Sequence, residues 1–235
     1  MTEDRIVVIT GGTGGLGRVV VEKFLAGGDT VAVNFRNEAK FQQMRAQLPG
    51  AERLHGFPAD LTSEQSVQAF FNQIEEKLGM PRVLLQLAGG FWMGGDIAET
   101  PLDQWNAMLQ TNLTATFLTV REAFARMKRS GGGVIVTIAA QAALTLPAGL
   151  AAYSVSKAGV VALTETLARE GLPFNVRANV ILPSIIDTPA NRQSMPDADS
   201  SQWVTPRQIA DALWLLAGPE ASGINQTRVC MFGKL

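Results

Sequence analysis

Short runs of β-branched and apolar residues alternate with amphipathic stretches along the whole chain. The apolar runs are continuous, which is typical of strands that are buried on both faces of a sheet. Strands are predicted at 5–10, 30–35, 53–57, 83–87, 134–138, 175–182 and 227–231. Helices are predicted between them, at 16–26, 37–47, 63–78, 101–129, 151–170 and 206–217. This alternation predicts an α/β fold, a doubly wound parallel sheet of about seven strands with helices on both faces.

The chain has 235 residues, which fits a single domain over 1–235. Its one long polar stretch without clear periodicity is 184–205. A loop of that length in a compact domain is usually a lid or a binding segment, so we expect a substrate loop here. The alternative is a disordered loop, which Met195 and Trp203 disfavour because they supply apolar anchors.

Charge and composition exclude several classes of function. The formal net charge is -1, so long-range attraction to nucleic acid or to an anionic membrane is not expected. No apolar run reaches about 18 residues, so no transmembrane helix is predicted. One His and one Cys cannot build a transition-metal cluster, so no metal site is expected. The acidic start does not resemble a signal peptide, and we expect a cytoplasmic protein.

A glycine-rich turn follows the first predicted strand and opens the first helix. Glycines there let the backbone approach a pyrophosphate, and the helix N-terminus offers unpaired N–H groups to the anion. The strand–turn–helix context is the one a dinucleotide site requires, so we expect a Rossmann-like fold. The expected cofactor-binding residues in this turn are Gly11, Thr13, Gly15, Leu16 and Gly17.

The end of the second strand bears on which dinucleotide binds. An acidic residue there holds the ribose hydroxyls of NADH, whereas an arginine pairs with the 2′-phosphate of NADPH. This chain carries Asn34, Phe35 and Arg36 at that place, and Arg18 lies one step past the last glycine. We therefore expect NADPH to be preferred over NADH, with Asn34, Arg18 and Arg36 at the adenosine end. The alternative is that both arginines only solvate helix starts.

Tyr153 and Lys157 lie four residues apart on a predicted helix, and Tyr153 is the only tyrosine of the chain. Residues at this spacing share one helix face. A cation near a phenol stabilises the phenolate, so the pair is expected to lower the tyrosine pKa and to support proton transfer. Y-xxx-K occurs by chance in many helices, but its combination with the glycine turn is specific.

With these motifs the chain resembles the short-chain dehydrogenases/reductases over essentially its full length. The resemblance implies hydride transfer from a nicotinamide, with Tyr153 as acid/base, Lys157 on the nicotinamide ribose and Asn112 anchoring a water of the proton relay. It also implies further cofactor contacts at matching positions, namely Asp60, Leu61, Ala88, Gly89, Gly90, Tyr153, Lys157, Pro183, Ile186 and Thr188.

One position departs from the family pattern. The family serine that hydrogen-bonds the substrate oxygen lies 13 residues before the tyrosine, and Ala140 stands there. Thr137, Gln141 and Thr145 are nearby in sequence but not at the matching position, and replacement of the serine by one of them is an alternative. The quinonoid dihydropteridine reductases, one branch of the family, lack this serine. The chain resembles that branch at 88–95, at 139–157 and above all in the polar loop 187–199. A conjugated quinonoid ring accepts hydride without a hydroxyl polarising an isolated ketone, so the resemblance implies a pterin as substrate.

Other features point elsewhere. Phe35 replaces the aspartate of the NADH-using pterin branch, and Asn112, which that branch lacks, is typical of the 3-oxoacyl-carrier-protein ketoreductases. A ketoreductase therefore remains an alternative, and a non-catalytic dinucleotide sensor is a third. Phe91, Trp92 and Trp203 could stack on a flat substrate or merely cover the sheet edge. The broad apolar faces of helices 101–129 and 151–170 predict a homodimer or homotetramer.

Overall fold

A computed structural model describes residues 5–234 of the protein. The acidic start at 1–4, on which the argument against a signal peptide rests in part, and residue 235 lie outside the described residues. Among the described residues, no helix combines the length and the apolar character needed to cross a membrane. Within the same residues, no three His, Cys, Asp or Glu side chains gather closely enough to hold a metal ion.

The predicted doubly wound sheet is confirmed. Its parallel strands run in the order β3-β2-β1-β4-β5-β6-β7. The strands are β1 Ile6–Thr10, β2 Thr30–Phe35, β3 Leu54–Pro58, β4 Val83–Gln86, β5 Gly133–Ile138, β6 Val176–Pro183 and β7 Arg228–Met231. The strand order reverses between β1 and β4, and in such sheets ligands bind at the carboxyl ends of the strands beside this switch point.

Helices cover both faces of the sheet. They are α1 Gly15–Ala26, α2 Glu38–Arg45, α3 Glu64–Lys77, α4 Leu102–Met108, α5 Ala115–Arg129, α6 Ala142–Thr145, α7 Ala151–Gly171, α8 Pro189–Ser194 and α9 Pro206–Ala217. On one face, Val7 and Ile9 of β1 belong to a buried core with α1, α2 and α9. On the other, Ile6 and Val8 pack with α3, α5 and α7. The strands read as continuous apolar runs because both faces are covered.

The prediction of a single helix at 101–129 is wrong in one respect. A π-helical segment, Leu109–Thr114, separates α4 from α5, and buried Asn112 lies inside it. The Thr116 hydroxyl donates to the Asn112 carbonyl at 2.6 Å, which satisfies this acceptor where the regular ladder is interrupted. Such wide turns occur frequently at functional sites. The apolar periodicity continues through the interruption and could not reveal it.

Segment 184–205 is partly ordered into helix. It contains α8 and a short 3₁₀ turn, Ser200–Gln202. Its two ends are joined by a β-bridge between Ile186 and Val204, with the Asp187 N–H donating to the Val204 carbonyl at 2.8 Å. The segment between them is therefore an exposed loop with a closed base.

Candidate active site

The glycine turn between β1 and α1 leaves no room for side chains. Gly11 has φ +68, a conformation that favours glycine. A Cβ at this position would lie 3.0 Å from the Ala88 backbone nitrogen, so the turn packs closely against the segment that follows β4. The Thr188 Cβ lies 3.2 Å from the Cβ position of Gly15, which brings the base of the 184–205 loop against the same turn.

A cleft of about 380 Å³ opens above this turn at the switch point. Eleven of the residues expected to bind the cofactor line it: Gly11, Thr13, Gly15, Leu16, Gly17, Asn34, Arg36, Asp60, Leu61, Ala88 and Gly89. Lining residues that sequence reasoning missed are Gly14, Phe35, Ala59, Thr62, Leu87, Thr111 and Ala115. Each missed residue except Ala115 is adjacent to an expected site residue, so the spacing of motifs could have found them.

Asn34 positions the glycine turn. Its side chain is buried, and its Oδ1 accepts the Gly11 N–H at 2.9 Å. Its Nδ2 donates to the Ala59 carbonyl at 3.5 Å, so the amide links the end of β2 to the turn after β1 and to the end of β3. Asn34 also lines the cleft, so its expected contact with the cofactor stays a prediction beside this structural role.

Arg36 is exposed and lines the cleft at the end of β2, where the adenosine is expected. Phe35, which stands where NADH-using relatives carry an acid, stacks on Phe41 with ring centroids 5.2 Å apart. Asp60 accepts hydrogen bonds from the Thr62 N–H and hydroxyl, which hold the pKa of its carboxyl below the ordinary value, with a smaller contribution from Arg36. Arg18 is exposed on α1 and is not among the residues that line the cleft.

Lys157, Asn112 and Gly89 converge at the other end of the cleft. A Cβ at Gly89 would lie 2.8 Å from the Asn112 Oδ1 and 3.1 Å from the Lys157 Nζ. Any side chain at position 89 would therefore fill the space beside the amide of Asn112 and the ammonium of Lys157. Lys157 is buried, donates to the Ile138 carbonyl at 3.0 Å, and its Nζ lies 6.0 Å from the centre of the Tyr153 ring.

The expected lowering of the tyrosine pKa is not what the structure shows. Burial raises the pKa of Tyr153 to about 12. Burial also lowers the pKa of Lys157 to about 8. The ammonium is bonded to a backbone carbonyl and faces the ring, so desolvation of the phenol outweighs attraction to the lysine. At neutral pH the phenol is therefore protonated, and the lysine keeps most of its charge.

The Asn112 side chain makes three hydrogen bonds to oxygen and nitrogen partners, and its Nδ2 also lies 3.8 Å from the Met108 Sδ. Its Oδ1 accepts the Gly90 N–H at 2.7 Å, and its Nδ2 donates to the Gly90 carbonyl at 3.1 Å and to the Ser156 Oγ at 2.9 Å. The Ser156 hydroxyl donates in turn to the Tyr153 carbonyl at 2.7 Å. The amide therefore ties the turn after β4 to the tyrosine helix, and the anchoring of a relay water by Asn112 stays a prediction.

Ala140 is buried at the end of β5, at the position of the family serine. The nearby hydroxyls that could replace that serine are engaged elsewhere. Thr137 bonds to Thr164 inside the protein at 2.7 Å, and exposed Thr145 donates to the Gln141 carbonyl at 3.3 Å.

One exposed aromatic side chain lies beside Tyr153. Phe91 is 63% exposed and meets the Tyr153 ring edge-on, with centroids 5.0 Å apart. Trp203 is only 6% exposed, so it anchors the loop base and is not available for stacking on a substrate. Buried Pro183 ends β6, and Ile186 belongs to the loop base, outside the lining of the cleft.

The chain matches known proteins over nearly its whole length. The family model described as "short chain dehydrogenase" matches residues 5–199. The 2-(R)-hydroxypropyl-CoM dehydrogenase of Xanthobacter autotrophicus is 30% identical over 97% of each chain. The 3-oxoacyl-acyl-carrier-protein reductase of Aquifex aeolicus is 29% identical, over 79% of this chain and 75% of its own. A variant of the actinorhodin polyketide ketoreductase with NADPH has a TM-score of 0.90 at 25% identity, covering 99% of this chain and 97% of its own.

None of these three relatives is a dihydropteridine reductase, so they support the family and not the branch. The match of the family model covers well over half of the chain, and the sheet order and the Tyr153–Lys157 helix agree with it. The protein is an oxidoreductase, and it belongs to the short-chain dehydrogenases/reductases.

Proposed function

We propose that the protein is an NADPH-dependent reductase of a flat, conjugated ring substrate of the quinonoid dihydropteridine type. The observation that carries the proposal is the pairing of an intact Tyr153–Lys157 helix with Ala140 at the serine position. Removing one hydrogen-bond donor to a developing oxyanion commonly costs about 10²–10³ in rate. A conjugated quinonoid ring, which accepts hydride without a hydroxyl to polarise it, tolerates the loss of this donor better than an isolated ketone does.

The residues present fit a dinucleotide. The cleft has a floor of glycines and lies at the switch point of the sheet. Gly11, Thr13, Gly15, Leu16 and Gly17 would face the pyrophosphate, while Asp60 and Leu61 would border the adenine. Ala88, Gly89, Gly90, Tyr153, Lys157, Pro183, Ile186 and Thr188 would surround the nicotinamide half.

Arg36 supports NADPH over NADH. Its guanidinium lines the adenosine end of the cleft, where a 2′-phosphate would gain a charge-assisted, two-pronged hydrogen bond. Arg36→Ala is expected to weaken NADPH binding and to leave NADH binding nearly unchanged. Arg18→Ala is the matched control, because Arg18 lies outside the lining of the cleft. If Arg18→Ala has the larger effect, the assignment to Arg36 is wrong.

The side chains of this site would act as follows. When bound, NADPH supplies the hydride that reduces the ring. Tyr153, protonated because burial raises its pKa to about 12, gives its proton to the ring atom that gains electron density. Lys157 supplies positive charge close to the phenol, which stabilises the phenolate left after proton transfer. Phe91 offers an exposed apolar face beside the phenol for a flat substrate.

A ketoreductase acting on a 3-oxoacyl thioester is the second candidate. The 29% identity to the Aquifex aeolicus reductase and the presence of Asn112 in the π-helical segment favour it. In this case a water or a backbone group would have to replace the missing serine hydroxyl at Ala140.

One assay separates the two candidates. Oxidation of NADPH and of NADH is measured with freshly generated quinonoid dihydropterin and with a 3-oxoacyl thioester. We expect turnover of the pterin by the wild type, and loss of this turnover in Tyr153→Phe. Turnover of the thioester alone would refute the pterin proposal. Cofactor binding without turnover of either substrate would favour a sensor.

Restoring the serine tests the reasoning behind the proposal. Ala140→Ser is expected to raise activity on the thioester by about 10²-fold or more, because it returns the missing donor. Ala139→Ser is the matched control, since Ala139 is equally buried and adjacent but not at the family position. Equal gains in both variants would show that the serine position does not limit ketone reduction.

We also propose that the protein forms a homodimer or homotetramer through the faces of α5 and α7. Phe117 on α5 and Val155 on α7 are large apolar side chains that are 43% and 45% exposed. Burying such side chains in a second copy would remove them from water. Phe117→Glu is expected to lower the molecular mass measured in solution; an unchanged mass would exclude this face.

A further inference from the structure

A chain of buried hydrogen bonds connects the end of β1 with the tyrosine helix. It begins at Thr10, whose hydroxyl donates to the Gln86 Oε1 at 2.8 Å. The Gln86 Nε2 donates to the Thr116 hydroxyl at 3.4 Å, and Thr116 donates to the Asn112 carbonyl at 2.6 Å. The Asn112 side chain then reaches Ser156, which donates to the Tyr153 carbonyl.

The donor and acceptor roles along this series of hydrogen bonds are mutually compatible. A hydroxyl has one proton, and the hydroxyls of Thr10, Thr116 and Ser156 each direct it towards the next residue in the series. Ser156 therefore offers only lone pairs to its neighbour, which requires the Nδ2 of Asn112 on that side. The Oδ1 is then left for the Gly90 N–H, as observed at 2.7 Å.

Gln86 is the branch point of this network. Its Oε1 also accepts the Thr119 hydroxyl at 2.8 Å, so one amide ties β1, β4 and α5 together. Gln86 is 1% exposed and its partners Thr10 and Thr119 are fully buried. An unpaired polar group at such a place is costly, so each member depends on the others.

Two members of this chain hold backbone that lies in or next to the lining of the cleft. The Thr10 hydroxyl accepts the N–H groups of Leu87 and Ala88, which line the cleft beside the glycine turn. Further along the series, Asn112 fixes Gly90, the neighbour of the lining residue Gly89.

We propose that Gln86 is a positioning residue that couples the nucleotide-binding turn to Tyr153, through Thr116, Asn112 and Ser156. Gln86 touches neither substrate nor cofactor in this role. It sets the spacing between the strand ends that hold the dinucleotide and the helix that holds the phenol. The proposal concerns any hydride acceptor, so it does not depend on the pterin substrate.

The only tyrosine of the chain provides a direct readout in the cofactor-free protein. Ultraviolet absorbance of the phenolate reports the pKa of Tyr153 alone, because no other tyrosine contributes. Burial raises this pKa to about 12, so a loosened helix that admits water should lower it towards the ordinary value of about 10. A role limited to stability would leave this pKa unchanged.

The test compares three variants that each break the chain, Gln86→Met, Thr116→Val and Ser156→Ala. Each is expected to lower the Tyr153 pKa, to speed hydrogen exchange of the Gly90 amide and to weaken NADPH binding roughly two- to thirtyfold. Thr164→Val is the matched control. Thr164 lies on α7, the helix of Ser156 and Tyr153. Its buried hydroxyl pairs with Thr137, and this pair is not part of the hydrogen-bond chain. Thr164→Val should lower stability without these effects.

A double-mutant cycle tests whether the chain acts as a unit. Once Thr116→Val has broken it, Ser156→Ala should add little, so the combined effect on NADPH affinity should be smaller than the product of the single effects. Additive effects, or a Tyr153 pKa that moves no more than in Thr164→Val, would overturn the proposal. If Gln86→Met does not fold, the other two variants still decide the question.

Discussion

Replacing Lys157 by methionine should abolish catalysis and yet stabilise the protein at neutral pH. Lys157 is 6% exposed, and burial lowers its pKa from 10.5 to about 8. At about 1.4 kcal/mol per pKa unit, a shift of roughly 2.5 units means that keeping the ammonium buried costs about 3 kcal/mol. Methionine has a similar length and no charge, so it removes this cost.

The substitution also loses one interaction. The ammonium donates to the Ile138 carbonyl at 3.0 Å, and an unpaired buried carbonyl costs about 1–2 kcal/mol. The net gain at pH 7 is therefore about 1–2 kcal/mol. For a protein of this length each kcal/mol shifts Tm by about 2–4 °C, so Lys157→Met should melt about 2–8 °C higher than the wild type.

The pH dependence supplies the sharper test. The penalty is fully present below pH 8, where the folded protein must carry the charged lysine. Between pH 8 and 10.5 the unfolded chain binds a proton that the folded protein does not, so wild-type stability rises relative to the variant. By pH 10 the remaining penalty is below about 1 kcal/mol, and the lost hydrogen bond makes Lys157→Met the less stable of the two.

Chemical denaturation at pH 7, 8, 9 and 10 measures this crossover. Lys40→Met, at an exposed position on α2, controls for the removal of a surface ammonium. A stability difference between wild type and Lys157→Met that stays constant from pH 7 to 10 would refute the buried charge. If Lys157→Met is less stable than the wild type at pH 7, the cost of about 3 kcal/mol assigned to the buried ammonium is too large.

Three further predictions follow from the site. Gly89→Ala puts a methyl group 2.8 Å from the Asn112 Oδ1, so activity should fall at least about tenfold with the fold retained; Gly223→Ala, which meets no atom within 4 Å, should be neutral. The absorbance titration of the wild type should show a midpoint near pH 12, absent in Tyr153→Phe; a midpoint near 10 would mean a solvated phenol. Phe91→Ala exposes the edge of the Tyr153 ring and should lower this midpoint while raising KM for a flat substrate; an unchanged KM would remove Phe91 from the substrate site.

The fold could be predicted from the sequence because burial leaves a local signature. A strand covered on both faces must be apolar at every position, and β1 is buried along all of Ile6–Thr10. The pairing of Tyr153 with Lys157 on one helix face was predictable for a similar reason, since it depends only on helical spacing.

The hydrogen-bond partners of polar side chains could not be predicted in this way. Asn34 is expected at the adenosine end and does line the cleft, but the sequence gives no sign that its amide bonds Gly11 and Ala59 from two other strand ends. The π-helical segment around Asn112 and the bonds of Gln86 depend equally on residues that are distant in sequence. A residue type indicates what a side chain can bond, and only the tertiary structure decides what it does bond.

The pKa of Tyr153 shows how this difference between sequence pattern and tertiary structure bears on function. The sequence places a cation four residues from Tyr153, which suggests a lowered pKa, whereas burial in the structure raises it to about 12. A protonated phenol is the form that reduction requires, because hydride arriving at the substrate must be balanced by a proton. With Ala140 offering no hydroxyl, this phenol is the side chain we expect to supply both the hydrogen bond and the proton. This is the reason for our proposal that the substrate is one whose electrons are already delocalised before the proton moves.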